Sequence, residues 1–165
     1  MSLYLRPALP KDESFLNQLI YDNLFEQLCA WAWDPAIREP LMKLQIDGQR
    51  TSYAASYPHA DHGIIVFDER PIGRLLIDRT QDTHYLVDIV VLKAHRGKGI
   101  GTCLLRALCM EAEMARKPLR LQVQLTNRAK ELYLRLGFRM IEDLQFAWRM
   151  ERAVGAASLV SLQAP

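Results

Sequence analysis

Several things are missing from this 165-residue chain, and each absence narrows what it can be. No apolar run approaches the roughly 18 to 20 residues needed to span a bilayer, so no membrane partner is expected. Residues Met1–Pro7 lack a basic stretch followed by an apolar one, and so do not read as a secretion signal. Cysteine is scarce. Cys29, Cys103 and Cys109 are an odd set with no CxxC spacing, which argues against a disulfide framework or a zinc site and for free thiols in the cytoplasm. His59 and His62 flank Asp61, but no third ligand stands nearby, so a polar loop and no metal are expected. An excess of one charge is also missing. With 21 basic and 19 acidic residues the net charge is +2, which gives no reason to expect a nucleic-acid partner. Repeats and linkers are absent, so the reading is one domain over residues 1–152 and a weakly patterned, mobile tail over 153–165.

What is present has the composition of a folded α/β domain, half apolar and 24% charged. Leu3 to Arg6 reads as a strand. Phe15, Leu16, Leu19, Ile20, Leu24, Leu28 and Trp31 recur at helical spacing. Asp34-Pro35 interrupts that pattern, and a second helix is expected from Ala36 towards Ser56. Residues 63–67, 72–79 and 84–92 read as three strands at hairpin spacing. Residues 101–116 form an amphipathic helix that Pro118 ends. Leu119 to Leu125 alternates strictly, as a half-exposed strand does. A short helix over 128–136 has Gly137 in the capping position, and a final hairpin spans 138–142 and 146–151.

The most informative segment is Arg96-Gly97-Lys98-Gly99-Ile100-Gly101, between a strand and a helix. Glycines at alternate positions let backbone N–H groups approach a ligand, and a helix N-terminus adds unpaired amides. Together these suit a phosphate. The segment is neither GxxxxGK[ST] nor GxGxxG, so neither a P-loop nor a dinucleotide fingerprint is present. On these residues alone, a tight connection with no ligand stays open.

Arg96, Gly99 and Gly101 match the Arg/Gln-x-x-Gly-x-Gly/Ala loop of the GNAT superfamily of acyl-CoA-dependent N-acyltransferases. Downstream, Asn127-Arg-Ala-Lys-Glu-Leu-Tyr133-Leu-Arg-Leu-Gly137-Phe138 resembles that family's Asn-x-x-Ala-x-x-Leu-Tyr-x-x-x-Gly-Phe. The opening Leu5 to Asp12 resembles its first strand and turn, so the resemblance covers residues 3 to 151. It implies a mixed α/β (α+β) fold, with a mostly antiparallel central sheet flanked by helices and two splayed central strands, 84–92 and 119–125. It also implies acetyl-CoA as acyl donor, without a metal. The pyrophosphate would lie on Arg96, Gly97, Lys98, Gly99, Ile100, Gly101 and Thr102, and the pantetheine arm on the backbone of Val90, Val91 and Leu92.

Acetyl transfer to an amine needs a neutral nucleophile, donors for the oxyanion and a proton for the departing thiolate. The resemblance makes Tyr133 the general acid, where spacing alone makes it a core residue. Asn127 reads as a helix cap, and the resemblance adds a contact to the cofactor arm, the two roles being compatible. Asp88, an acid within an apolar strand, is held in a structural hydrogen bond or ion pair or is simply exposed, and the resemblance adds the role of proton acceptor for the amine. His84, Tyr85 and His95 are lesser candidates. Cys103 and Cys109 fall on different helix faces and read as packing, and Trp31, Trp33 and Trp148 either line an acceptor pocket or take core and rim positions. The acceptor is expected to be a small-molecule, protein or peptide amine, with a homodimer left open. A non-catalytic CoA-binding or sensing protein is the alternative.

The near-neutral total conceals a polarised chain. Residues 93–139 hold 11 basic and 3 acidic residues, whereas residues 1–92 hold 8 basic and 13 acidic ones. The first set suits an anionic donor. The second, including Asp22, Glu26, Asp34, Glu39 and Asp47, is a solvated face or a funnel for a cationic amine.

Overall fold

A computed structural model describes residues 2–28 and 32–156. Cys29, Trp31 and the tail from residue 157 lie outside the described residues. Among the described residues seven strands form a single sheet in the order β1-β2-β3-β4-β5-β7-β6, mostly antiparallel and flanked by helices. The chain packs into two compact units, Met1–Leu76 with Asp88–Arg96, and Ile77–Val87 with Gly97–Pro165.

The first unit begins with β1 (Leu3–Pro7), antiparallel to β2 (Asp61–Phe67) from Leu3↔Phe67 to Pro7↔Gly63. Helix α1 (Glu13–Gln27) buries Leu16, Leu19 and Ile20, one stripe at helical spacing. Its approach is fixed by a fork. The two Nη atoms of Arg6 each donate to one oxygen of Asp12 at 2.7 Å, and the Leu9 N–H donates to the same carboxylate at 2.8 Å. Helix α2 (Pro35–Ser56) starts where the sequence shows its break. Asp34 caps it by accepting from the Ala36 N–H at 2.8 Å, and Pro35 occupies the first turn, where a missing N–H costs nothing. Strand β2 turns into β3 (Arg70–Arg79) through Asp68-Glu69, both at positive φ (46° and 63°), the two-residue turn whose twist matches the flanking strands. Consecutive Ile64 and Ile65 are both fully buried, so β2 is covered on both faces.

In the second unit the first residues of β4 (His84–Val91), whose end from Asp88 belongs to the first unit, pair in parallel with β5 (Leu119–Gln124) over three residue pairs, His84↔Leu119 to Leu86↔Leu121. The alternation of β5 is realised: Leu119, Leu121 and Val123 are buried, while Gln122 and Gln124 are exposed. Helix α3 (Ile100–Met114) buries Leu104, Leu105, Leu108 and Ala112, together with Cys109. Helix α4 (Ala129–Arg135) ends ahead of Gly137, whose φ of +87° suits glycine. Strands β6 (Arg139–Asp143) and β7 (Ala147–Arg152) form the expected hairpin, but β7 is the one that pairs with β5, so β6 is the exposed edge. Among the described residues no helix is long and apolar enough to cross a membrane.

Candidate active site

The glycine loop is shaped by its backbone. A one-turn 3-10 helix, Lys93–His95, leads out of β4. Gly97 and Gly99 then adopt φ of +74° and +79°, which a side chain would strain. Gly99 is the residue before α3, and the first bond of that helix runs from the Cys103 N–H to the Gly99 carbonyl at 2.9 Å. The N–H groups of Ile100, Gly101 and Thr102 precede that bond and have no intrahelical acceptor. Gly101 is different from its two neighbours. Its φ is ordinary, and a Cβ there would meet nothing within 4 Å, so neither strain nor packing calls for glycine. Glycine inside a helix costs about 1 kcal/mol relative to alanine. The loop therefore has the form of a cradle that a bulky group would fill, and its residues fit a bound pyrophosphate.

Arg96 is more occupied than its sequence suggests. Its Nε donates to the Val91 carbonyl at 2.8 Å and its Nη1 to Glu26 at 2.6 Å. Lys93 reaches the same carboxylate at 2.8 Å, and the two cations hold Glu26 below the usual carboxylate range. Glu26 is thus a clamp on the loop's entry, a role invisible in the sequence because 70 residues separate the partners. Lys98 is exposed and Ile100 is buried.

The backbone of Val90–Leu92 is partly committed. The Leu92 N–H donates to the Ile72 carbonyl at 2.8 Å, and the Val91 carbonyl receives Arg96. Gly73 lies so close that an added Cβ would sit 2.3 Å from the Val90 oxygen. Asp88 pairs with Arg74, whose Nε donates to Oδ2 at 2.9 Å while an Nη donates to the same oxygen. Arg74 is only 4% exposed while Asp88 is half-buried, so this is a part-buried ion pair, one of the roles open to Asp88. Asn127 is exposed and stands one residue ahead of the Arg128 N-cap of α4, its Oδ1 accepting from the Ala129 N–H at 2.9 Å, so it is not itself the cap. Tyr133 is buried on α4, its ring edge-on to Phe138 with centroids 5.7 Å apart.

The lesser candidates also find places. His84 is buried, and its Nδ1 lies 3.8 Å from Glu111, which Arg79 grips; burial holds the imidazole below its ordinary value. His95 packs edge-on to Phe67. Cys109 is buried as expected of a packing residue, but Cys103 is exposed, because six positions along α3 carry it to the outer side. Trp148 lies under the Lys130 ammonium, 4.7 Å from ring centre to Nζ.

The acetyltransferase (GNAT) domain profile matches residues 58–140, about half of the chain. The chain belongs to the GNAT acetyltransferase family. No curated protein matches the sequence. Among solved structures, PaiA N-acetyltransferase from Thermoplasma acidophilum in complex with coenzyme A superposes with a TM-score of 0.70 at 17% identity, over 93% of this chain and 99% of that one. An acetyltransferase from Thermus thermophilus gives 0.64 at 20% identity, over 92% and 96%. Arabidopsis thaliana Naa50, in complex with the bisubstrate analogue CoA-Ac-MVNAL, gives 0.61 at 16%, over 93% and 99%. Identities this low carry the fold alone. In this GNAT chain the matched span holds Asp88, the glycine loop, Asn127 and Tyr133, and leaves out α1 and α2.

Proposed function

We propose that the protein is an N-acetyltransferase that moves the acetyl group of acetyl-CoA directly to an amine. The observation that carries this reading is Gly101, a helical glycine that nothing in the protein's own packing requires, following two left-handed glycines at the start of α3. In this scheme the pyrophosphate is held by the N–H groups of Gly97 to Thr102, with Lys98 as a flexible counter-charge. Arg96 acts indirectly, by tying the loop's entry to Glu26 and Val91. Asn127 sets the start of α4 and hence the placing of Tyr133. The backbone of Val90–Leu92 takes the pantetheine arm.

The chemistry then follows from the thioester. The neutral amine attacks the carbonyl carbon, a C–N bond forms, and the C–S bond breaks as the amine loses a proton. Tyr133 supplies the proton for the departing thiolate. Asp88 has two roles that one substitution separates. Asp88→Asn keeps an acceptor oxygen for Arg74 but removes the carboxylate. Turnover lost at unchanged Tm assigns Asp88 to proton transfer, and Tm lost at unchanged turnover assigns it to the ion pair. The acceptor is an amine of a small molecule or a peptide.

The test has two stages. Thermal shift should respond to acetyl-CoA and CoA and not to ATP or NAD; no response to CoA would defeat the proposal. Thiol release across a panel of amines should then be amine-dependent. CoA binding with no release from any amine would leave a CoA-sensing protein instead.

A further inference from the structure

A cavity lies wholly within the first unit, against α2, β2 and β3. It encloses about 230 Å³. Its polar lining consists of Arg50, Tyr53, Tyr57, His62 and Arg74, and its apolar lining includes Leu76. Every one of those five polar side chains carries an N–H or O–H donor, and no carboxylate or carboxamide side chain is among the lining residues. The surroundings keep it so. Burial pushes the Tyr53 phenol up to about 12, so it stays a protonated donor. The His62 Nε2 is buried and finds no hydrogen-bond partner among the described residues, a costly state for a ring nitrogen. The charge is also specific. Arg74 is neutralised by Asp88, which grips it from outside the lining, and this leaves Arg50, exposed and shared with a neighbouring groove that also holds Glu13 and Glu39, as the lining cation without an ion pair among the described residues. The Arg50 guanidinium donates to the neutral Asn17, outside this lining.

We propose that this cavity is a binding site for a small organic carboxylate, a monoanion with an apolar body. Donors on several sides suit an acceptor-only group. One net positive charge suits a monoanion better than a doubly charged phosphate. The tyrosine rings and Leu76 suit a hydrocarbon or aromatic portion. The proposal does not rest on the acetyl-transfer reading, since it concerns residues outside the glycine loop and needs no turnover.

The test is direct binding to the full chain, without CoA, read by calorimetry and by amide shifts at Tyr57 to His62. The probe is phenylacetate, set against phenylacetamide, which keeps the shape and loses the charge, and against inorganic phosphate. Phenylacetate should bind about tenfold more tightly than the amide and more tightly than phosphate. Arg50→Gln should weaken phenylacetate by about tenfold. Ala54→Phe, which fills the mouth from an exposed helix position, should abolish binding without touching the buried groups. Equal binding of acid and amide, preference for phosphate, no binding of phenylacetate at 10 mM (about the weakest affinity of interest), or binding indifferent to both variants would each overturn the proposal.

Discussion

Gly101→Asp separates the fold from the function, because the two should move in opposite directions. The position is in the first turn of α3, has no positive φ, and faces open space. Aspartate is a better helix residue than glycine by a few tenths of a kcal/mol, and its charge at a helix N-terminus adds about 0.3–1 kcal/mol. The variant should therefore be more stable by about 0.5–1 kcal/mol, a rise in Tm of roughly 1–4 °C for a chain of this size. A bound pyrophosphate would feel the same carboxylate as a repulsion. Two unit charges about 4 Å apart at an effective dielectric near 20 cost about 4 kcal/mol, which is roughly a thousandfold in Kd. Gly101→Ala is the control, since it fills the same space with a methyl and no charge. It should gain about 1 kcal/mol and weaken CoA binding far less than Gly101→Asp does, since it adds a methyl but no charge. Differential scanning fluorimetry and calorimetric titration with CoA measure both quantities on the same samples. A Gly101→Asp protein that melts higher yet binds CoA normally would refute the phosphate assignment. One that melts lower would refute the open-space argument.

Other expectations follow from single contacts. Tyr133→Phe keeps the ring against Phe138, so CoA affinity and Tm should hold while kcat for thiol release falls roughly 10²- to 10⁴-fold; an unchanged rate makes Tyr133 a packing residue. Gly73→Ala drives a methyl into the Val90 carbonyl, and β4 must shift; the loss should be about 1–3 kcal/mol or more, seen as a fall in Tm. Arg6 and the Leu9 N–H hold the Asp12 carboxyl well below its ordinary range. A carboxyl depressed on folding stabilises the protein above its unfolded value of 3.8, and that contribution fades as pH falls below it towards the folded value. Asp12→Asn should therefore flatten the acid limb of a Tm–pH curve, and an unchanged limb would remove Asp12 from the account. CoA affinity should weaken with added salt, given the basic excess of residues 93–139; affinity indifferent to salt would end that argument.

The parts of this protein legible from sequence are those governed by neighbours along the chain. Period-two alternation placed β5, because successive side chains of a strand point to opposite faces. Helical spacing found α1 and α3, and Asp34-Pro35, read first as an interruption, is the cap and first turn of α2. The alternate glycines of the loop announced a backbone that side chains would strain, and Gly97 and Gly99 have that backbone. Both family motifs are also local, one in that loop and one along α4. Contacts between distant positions needed the folded chain. Tertiary structure alone decided that Glu26 clamps Arg96, that Asp88 grips Arg74, and that β7 rather than β6 lies beside β5. It also brought His62, Tyr53 and Arg74 around one cavity lined by donors, although the acidic excess of residues 1–92 reads as a solvated face or a funnel for cations. Net charge is a sum over sequence, whereas a cavity feels only the groups that line it, and burial and partner choice set those only when the strands and helices meet.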